Sequence, residues 1–69
     1  MTLEEYRIKC QWSRAELARQ AKLSEQTVKN ALEGGRVWKI TAQALAKAIS
    51  QKLNIDLSYT DIQGLTFRD

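Results

Sequence analysis

Apolar positions recur with a helical period in four segments of the chain, and a residue that can cap a helix precedes each segment. The predicted caps are Thr2, Ser13, Ser24 and Thr41. After each of the first two caps a glutamate follows three residues later, at capping-box spacing. The apolar faces comprise Leu3, Tyr6 and Cys10; Leu17, Ala18 and Ala21; Val28, Ala31 and Leu32; and Leu45, Ile49 and Leu53. We therefore expect helices over residues 2–11, 13–21, 24–33 and 41–54.

The connection between the second and third predicted helices is very short. Only Lys22 and Leu23 separate Ala21 from the Ser24 cap, so the two helices are expected to cross at a steep angle. Gly34 follows the third helix and can take the left-handed conformation that ends a helix. By spacing alone this is a helix-turn-helix unit, and the whole chain is expected to be all-α, a compact bundle of four to five helices.

The tail of the chain, residues 58–69, is open to two interpretations. Residues 58–63 fit a short fifth helix ending at Gly64, whereas residues 60–67 fit a strand that pairs with a second copy of the protein. The apolar residues of the tail are Tyr59, Ile62, Leu65 and Phe67. They are expected to cover either the chain's own core or that of a second copy, and in the second case they form a dimer contact. The expected organisation is a helical domain over residues 1–57 followed by the tail.

The composition is that of a small globular domain. A chain of 69 residues with 43% hydrophobic and 28% charged residues has enough apolar material for one core. No apolar run approaches the roughly 20 residues of a membrane span. The N-terminus also lacks the basic and apolar blocks of a signal peptide. Neither membrane association nor secretion is expected.

The residue types narrow the possible chemistry. Cys10 is the only cysteine and the chain contains no histidine, so a zinc site, an internal disulfide and a Cys/His catalytic pair cannot be assembled. An enzyme is not expected, because the commonest general base at neutral pH is missing and so small a chain cannot enclose a substrate pocket. We expect no cofactor, no metal and no small-molecule ligand. The net charge of +3 is compatible with nucleic acid if the basic residues share a surface.

Residues 13–35, SRAELARQAKLSEQTVKNALEGG, resemble the helix-turn-helix of the Cro and cI-type phage repressor family. The Ser24 cap and Gly34 belong to the match. Its apolar or small positions are Leu17, Ala18, Ala21, Leu23, Val28 and Ala31. The resemblance implies a lambda-repressor-like fold and a sequence-specific transcriptional regulator of the repressor type. It also implies a bacterial or phage-encoded protein of the cytoplasm.

The resemblance covers Leu3 to about Leu57, and Arg7 matches an arginine frequent in the family's first helix. Three features depart from the family pattern. Lys22 stands where the tight turn usually has glycine, and a left-handed backbone there costs about 1 kcal/mol more than with glycine. Leu32 stands where the family often has a glutamate that pairs with the first-helix arginine. The fourth helix is also about one residue longer.

The resemblance implies that the third helix enters the major groove of double-stranded DNA with its first residues at the base edges. The amides of Gln26 and Asn30, four residues apart, can bond to adenine. Lys29 can donate to guanine, and the Thr27 methyl group can lie against a thymine methyl. Glu25 can accept from a cytosine amino group or favour the helix N-terminus.

Contacts to phosphate are implied at the edges of the same surface. Arg14 matches a family position directed at the DNA backbone, and Ser24 can add its hydroxyl. Arg36 and Lys39 flank the third helix in the loop that follows it. The partner implied is a palindromic operator bound by a homodimer, with half-sites about 34 Å apart.

Two other functions stay open. The chain could be a protein-interaction module, such as an antitoxin-like or adaptor domain, or the N-terminal DNA-binding part of a longer protein. Charge placement separates these functions, because clustered basic residues favour DNA and an exposed apolar patch favours a protein. Trp38 is expected to cover the core at the start of the fourth helix, Trp12 to belong to the core, and Cys10 to be a small buried residue.

Overall fold

The computed structural model describes residues 1–68, so Asp69, the end of the predicted tail, lies outside the described residues. Among the described residues the chain is mostly helical, as predicted, with four α-helices, one 3-10 helix and two very short strands. The elements are α1 Leu3–Lys9, α2 Arg14–Ala21, α3 Glu25–Leu32, β1 Arg36–Val37, α4 Lys39–Leu53, the 3-10 helix Tyr59–Asp61 and β2 Thr66–Phe67.

Three of the four predicted N-caps are confirmed. Thr2, Ser13 and Ser24 each accept a hydrogen bond from the backbone amide three residues later. At Thr2 the capping box is complete, because the Thr2 amide also donates to the Glu5 carboxylate at 2.8 Å. The second capping box does not form. Glu16 instead accepts hydrogen bonds from Arg19 and Gln20 one turn later in the same helix.

The start of α4 differs from the prediction. The helix begins at Lys39, and Trp38 is its N-cap without a side-chain cap hydrogen bond. Thr41, the predicted cap, lies inside the first turn. The reason is the short strand β1. Val37 is paired and buried, and Trp38 still has an extended backbone, so the helix begins at the next residue.

All four helices end in the same way. A residue with left-handed backbone conformation stands at or just after the last turn, at Gln11, Lys22, Gly34 and Asn54. The amide of the following residue then donates to the carbonyl five residues back, for example Leu23 to Ala18 at 2.8 Å and Gly35 to Asn30 at 2.9 Å. This bond satisfies carbonyls that the helix end leaves open, and the conformation favours glycine.

The tail folds back onto its own chain. Both interpretations of its sequence are partly right, since Ser58 caps the 3-10 helix and a strand follows. However, β2 pairs in parallel with β1 of the same chain, with Arg36 opposite Thr66 and Val37 opposite Phe67. The strand therefore pairs within its own chain, where the second interpretation expected a second copy as its partner. Parallel strands require a long crossover, and α4 with the 3-10 helix provides it.

The core lies between α2, α3 and α4, with α1 and the tail closing it. Its largest fully buried side chains are Leu17, Leu45, Ile49, Val28 and Cys10. Each buried aliphatic side chain contributes about 1.5–3 kcal/mol relative to an exposed one. All twelve residues predicted for the four apolar faces are buried or pack against this core.

Ile62 of the tail belongs to the same core, with 4% of its surface exposed. Tyr59, Leu65 and Phe67 are partly buried against that core, and the Tyr59 and Phe67 rings pack edge to face at 5.6 Å. Ile62 therefore covers the core of its own chain, one of the two alternatives expected for the tail, and its side chain is not exposed for the dimer contact that the other alternative assigned to it. The boundary drawn at residue 57 does not separate two packed units, because a residue beyond it completes the core.

Candidate nucleic-acid interface

Helix α3 presents one apolar and one polar face. Val28 and Ala31 are buried in the core, while Glu25, Gln26, Lys29 and Asn30 are exposed. Gln26 and Lys29 lie three residues apart, so their side chains are neighbours on the helix surface. Within residues 1–68, neither side chain has a hydrogen bond or an ion pair. Both are therefore available for an external partner along the exposed face.

The N-terminus of α3 is held by two hydroxyl groups. The Ser24 oxygen accepts the Thr27 amide at 3.1 Å, and the Ser24 and Thr27 hydroxyls share a hydrogen bond of 2.8 Å. If Thr27 donates, the Ser24 proton stays free for an outside acceptor such as phosphate. Thr27 is half-buried with its hydroxyl engaged, so its methyl group is the part best suited to contact a base.

Asn30 differs from the other polar residues of α3. Its Nδ2 donates to the backbone carbonyl of Arg36 at 3.0 Å. A Cβ added to Gly35 would lie 2.0 Å from the Asn30 Oδ1. The Asn30 amide is thus packed into the turn after α3. Asn30 therefore has a structural role in this turn in addition to the predicted base contact.

The predicted phosphate-contacting residues lie at the starts of four elements. Arg14 is the first residue of α2, Ser24 caps α3, Arg36 opens β1, and Lys39 is the first residue of α4. Arg14, Arg36 and Lys39 are exposed. The hydrogen bond from Asn30 places the backbone of Arg36 beside α3. An anion near the N-terminus of α2 or α3 would also be favoured by the helix dipole.

A groove of about 560 Å³ separates the N-terminal parts of α2 and α3. Its walls include Ser13, Glu16, Arg19, Ser24 and Glu25. Hydrogen bonds from Arg19 and then Gln20 hold the pKa of the Glu16 carboxyl below its ordinary value, so Glu16 is ionised at neutral pH. Its negative charge is balanced locally by Arg19. The net charge of the groove is therefore smaller than its carboxylates alone suggest.

Arg7 has a local role at the end of α1. Its Nη1 donates to the Trp12 carbonyl at 2.7 Å, and its guanidinium pairs with Glu4. Arg7 thereby ties the end of α1 to the turn before α2. Leu32 packs partly against the core. Burial raises the pKa of the nearby Cys10 thiol, as expected for an inert side chain.

Two exposed apolar side chains, those of Trp38 and Ile40, flank Lys39 in the chain and are called the exposed corner here. Trp38 is 49% exposed and Ile40 is 75% exposed. Trp38 therefore does not cover the core as predicted; instead, the Arg68 guanidinium lies 5.0 Å from the centre of its ring. Trp12 is partly buried against the core, as predicted.

No role was predicted from the sequence for two residues near the candidate interface, Gly35 and Arg68. Gly35 makes room for Asn30, and Arg68 reaches Trp38 because its amide donates to the Val37 carbonyl at 2.9 Å. The second glycine of the Gly34–Gly35 pair was a usable signal, since one glycine suffices to end a helix. Nothing local in the sequence placed Arg68 beside Trp38.

In the described part of the chain, no helix combines the length and apolar character that crossing a membrane requires. Among the same residues, no three His, Cys, Asp or Glu side chains gather into a metal-binding group. Comparison with protein-family models, curated proteins and solved structures gave no match to this chain.

Proposed function

We propose that this protein is a sequence-specific, double-stranded DNA-binding regulator, of the repressor type, that reads the major groove with α3. The observation that carries the proposal is the exposed pair Gln26 and Lys29 on a capped helix whose other face is anchored by Val28. An amide and an ammonium group without partners in the described chain are suited to base edges. In this proposal α2 and α3 form a helix-turn-helix within a lambda-repressor-like domain, and the protein has no catalytic role.

The proposed base contacts follow from the position of each group on α3. Gln26 lies in the first turn, where a helix entering the groove meets the bases, and its amide can pair with adenine. Lys29 follows one turn later and can donate to guanine. Thr27 offers its methyl group to thymine, since its hydroxyl bonds to Ser24. Glu25 can accept from a cytosine amino group.

The proposed phosphate contacts fix the orientation of α3 in the groove. Arg14 and Ser24 lie at the N-termini of α2 and α3, where helix dipoles add to the attraction. Arg36 and Lys39 lie beyond the C-terminal end of α3. Contacts on both sides of a helix hold it along the groove. Each neutralised phosphate adds about −0.9 to the slope of log affinity against log salt.

We further propose that the protein binds a palindromic operator as a homodimer, with half-sites about one helical turn, or 34 Å, apart. Ile62 does not contribute to the dimer, because the core of its own chain buries it. Tyr59, Leu65 and Phe67 keep part of their surface accessible and are the tail residues that can contact a second copy.

A second candidate function is the docking of a protein partner. The exposed Trp38 and Ile40 favour it, because they are large apolar side chains two residues apart in the chain, and apolar patches exposed to water mark contact surfaces. In this alternative the chain is an antitoxin-like or adaptor module, or the N-terminal part of a longer protein. The basic residues around the corner would then contact acidic groups of the partner.

Selection of bound duplexes from a random DNA library tests the proposal. We expect a palindrome to be enriched and to bind about a thousandfold or more tightly than a scrambled duplex at physiological salt. The titration should be repeated at several salt concentrations, since affinities without the salt dependence are not comparable. Failure to enrich any sequence, with weak binding that disappears at physiological salt, would contradict DNA reading and favour the protein partner.

A further inference from the structure

We propose that Asn30 is a positioning residue, which holds Arg36 against α3, and that it does not read a base. The inference rests on the proposed DNA-binding function and assigns a different role to one residue of its site. The starting observation is that the Asn30 side chain is hydrogen-bonded within the chain, whereas the side chains of Gln26 and Lys29, on the same helix surface, have no hydrogen bond or ion pair among residues 1–68.

Asn30 contacts the turn after α3 through both its side chain and its backbone. Its Nδ2 donates to the Arg36 carbonyl at 3.0 Å, while its own carbonyl accepts the Gly35 amide at 2.9 Å. On its other side Arg36 pairs with Thr66 of β2. The backbone of Arg36 is therefore held between α3 and β2, which restricts where the guanidinium can reach.

Gly35 supports this role on steric grounds. Gly34 and Gly64 are the glycines with positive φ among the described residues, so the backbone conformation does not require glycine at position 35. An added Cβ would lie 2.0 Å from the Asn30 Oδ1 and 2.6 Å from its Cγ. The absence of a side chain at Gly35 is what admits the Asn30 amide to its bonding position.

The same geometry opposes base reading by Asn30. An asparagine that reads adenine presents one N–H and the Oδ1 together to the base edge. Here one N–H of Nδ2 donates to the Arg36 carbonyl, and Oδ1 lies on the side of the amide that faces Gly35. Bidentate pairing through the second N–H and Oδ1 would have to bring the base to the side of the amide that faces Gly35, or else turn the amide and release Arg36, a proposed phosphate contact.

The test is the salt dependence of binding to a mixed-sequence duplex about two helical turns long, measured for variants of the full chain. Arg36→Ala should reduce the slope of log affinity against log salt by about 0.9 per protomer. Asn30→Ala removes no charge, yet it should reduce the slope in the same direction. The double variant should have the slope of Arg36→Ala alone. Gln51→Ala, which removes an exposed amide from α4, should leave the slope unchanged.

Gly35→Ala provides a second test, in which the Asn30 side chain is kept but displaced. Gly35→Ala should displace the Asn30 amide and lower the slope as Asn30→Ala does. In the Asn30→Ala background, the same Gly35→Ala change should have no further effect, because the clashing side chain is gone. Circular dichroism should show retained helicity in each variant, since both positions lie outside the buried core.

The outcomes separate the inference from the proposed function. Independent, additive effects of Asn30→Ala and Arg36→Ala would overturn the inference. So would an unchanged salt slope in Asn30→Ala with a loss confined to one base pair of the selected duplex. In both cases DNA binding by the unsubstituted protein would still stand. If the unsubstituted protein binds neither the selected nor the mixed-sequence duplex, the proposed function fails and the inference fails with it.

Discussion

Individual residues at the helix ends determine how sharply this small chain can turn. Three of the four left-handed positions that end its helices carry Gln11, Lys22 and Asn54 in place of glycine. The side chain crowds the backbone in this conformation, which costs about 1–2 kcal/mol for most residues and less for asparagine. Lys22 carries this cost at the turn between α2 and α3, which sets the position of the candidate recognition helix.

Lys22→Gly should stabilise the protein by about 1 kcal/mol, because glycine adopts the left-handed conformation without the Cβ clash. The free energy of unfolding in urea measures the effect. Lys22→Ala is the matched control, since it removes the charge and the long side chain but keeps the Cβ. An equal gain from both substitutions would show that the lysine side chain, and not the backbone conformation, is responsible.

At the scale of elements, the tail connects the end of α4 to both the N-terminus and β1. Hydrogen bonds from the Ser50 hydroxyl to the Leu57 carbonyl and from the Leu57 amide to Ser50, both 3.1 Å, fix the turn after α4. The tail then returns past the N-terminus, where the Gln63 amide donates to the Met1 carbonyl at 3.0 Å. The tail therefore stabilises the segment that precedes α1 as well as the strand β1.

Ile62→Ala should destabilise the protein by about 2–5 kcal/mol, because it removes buried methyl groups and leaves a cavity. Ile40→Ala deletes the same atoms from a side chain that is 75% exposed and should change stability by less than about 0.5 kcal/mol. Thermal and urea unfolding of the two variants provide the comparison. Similar effects at both positions would mean that the tail does not contribute to the core.

The difference between local and distant interactions explains what the sequence could predict. The caps Thr2, Ser13 and Ser24 were identifiable because their hydrogen bonds span three residues. The pairing of β1 with β2 was not, since two-residue strands show no alternation and their partners lie about thirty positions apart. The unpredicted start of α4 is a consequence of the same distant pairing, and the burial of Ile62 also depends on core residues far from it in the chain.

The candidate site shows the same limit. The polar face of α3 followed from helical periodicity, and Gln26 and Lys29 are exposed as expected. The contact of Asn30 with Arg36 depends on how the chain turns after Gly34, and the sequence pattern does not encode that turn in detail. The placement of Arg68 beside Trp38 depends on the pairing of the two strands.

For the whole molecule, the question is whether the exposed face of α3 reads a base sequence or only faces solvent. The proposed contacts come from the starts of α2, α3, β1 and α4, and a rigid core fixes these elements relative to one another. Such an arrangement suits DNA, where phosphate contacts orient the protein and base contacts provide specificity. The exposed corner at Trp38 and Ile40 is the feature that favours a protein partner instead.

The most direct test of base reading is the affinity of Gln26→Ala for the selected duplex compared with a scrambled duplex of the same length. Gln26 is exposed, and no side chain of the described residues contacts it through a hydrogen bond, so its replacement should leave the fold intact. We predict a loss of about 1–3 kcal/mol on the selected duplex and almost none on the scrambled one. Equal losses on both duplexes would contradict the claim that α3 reads the base sequence.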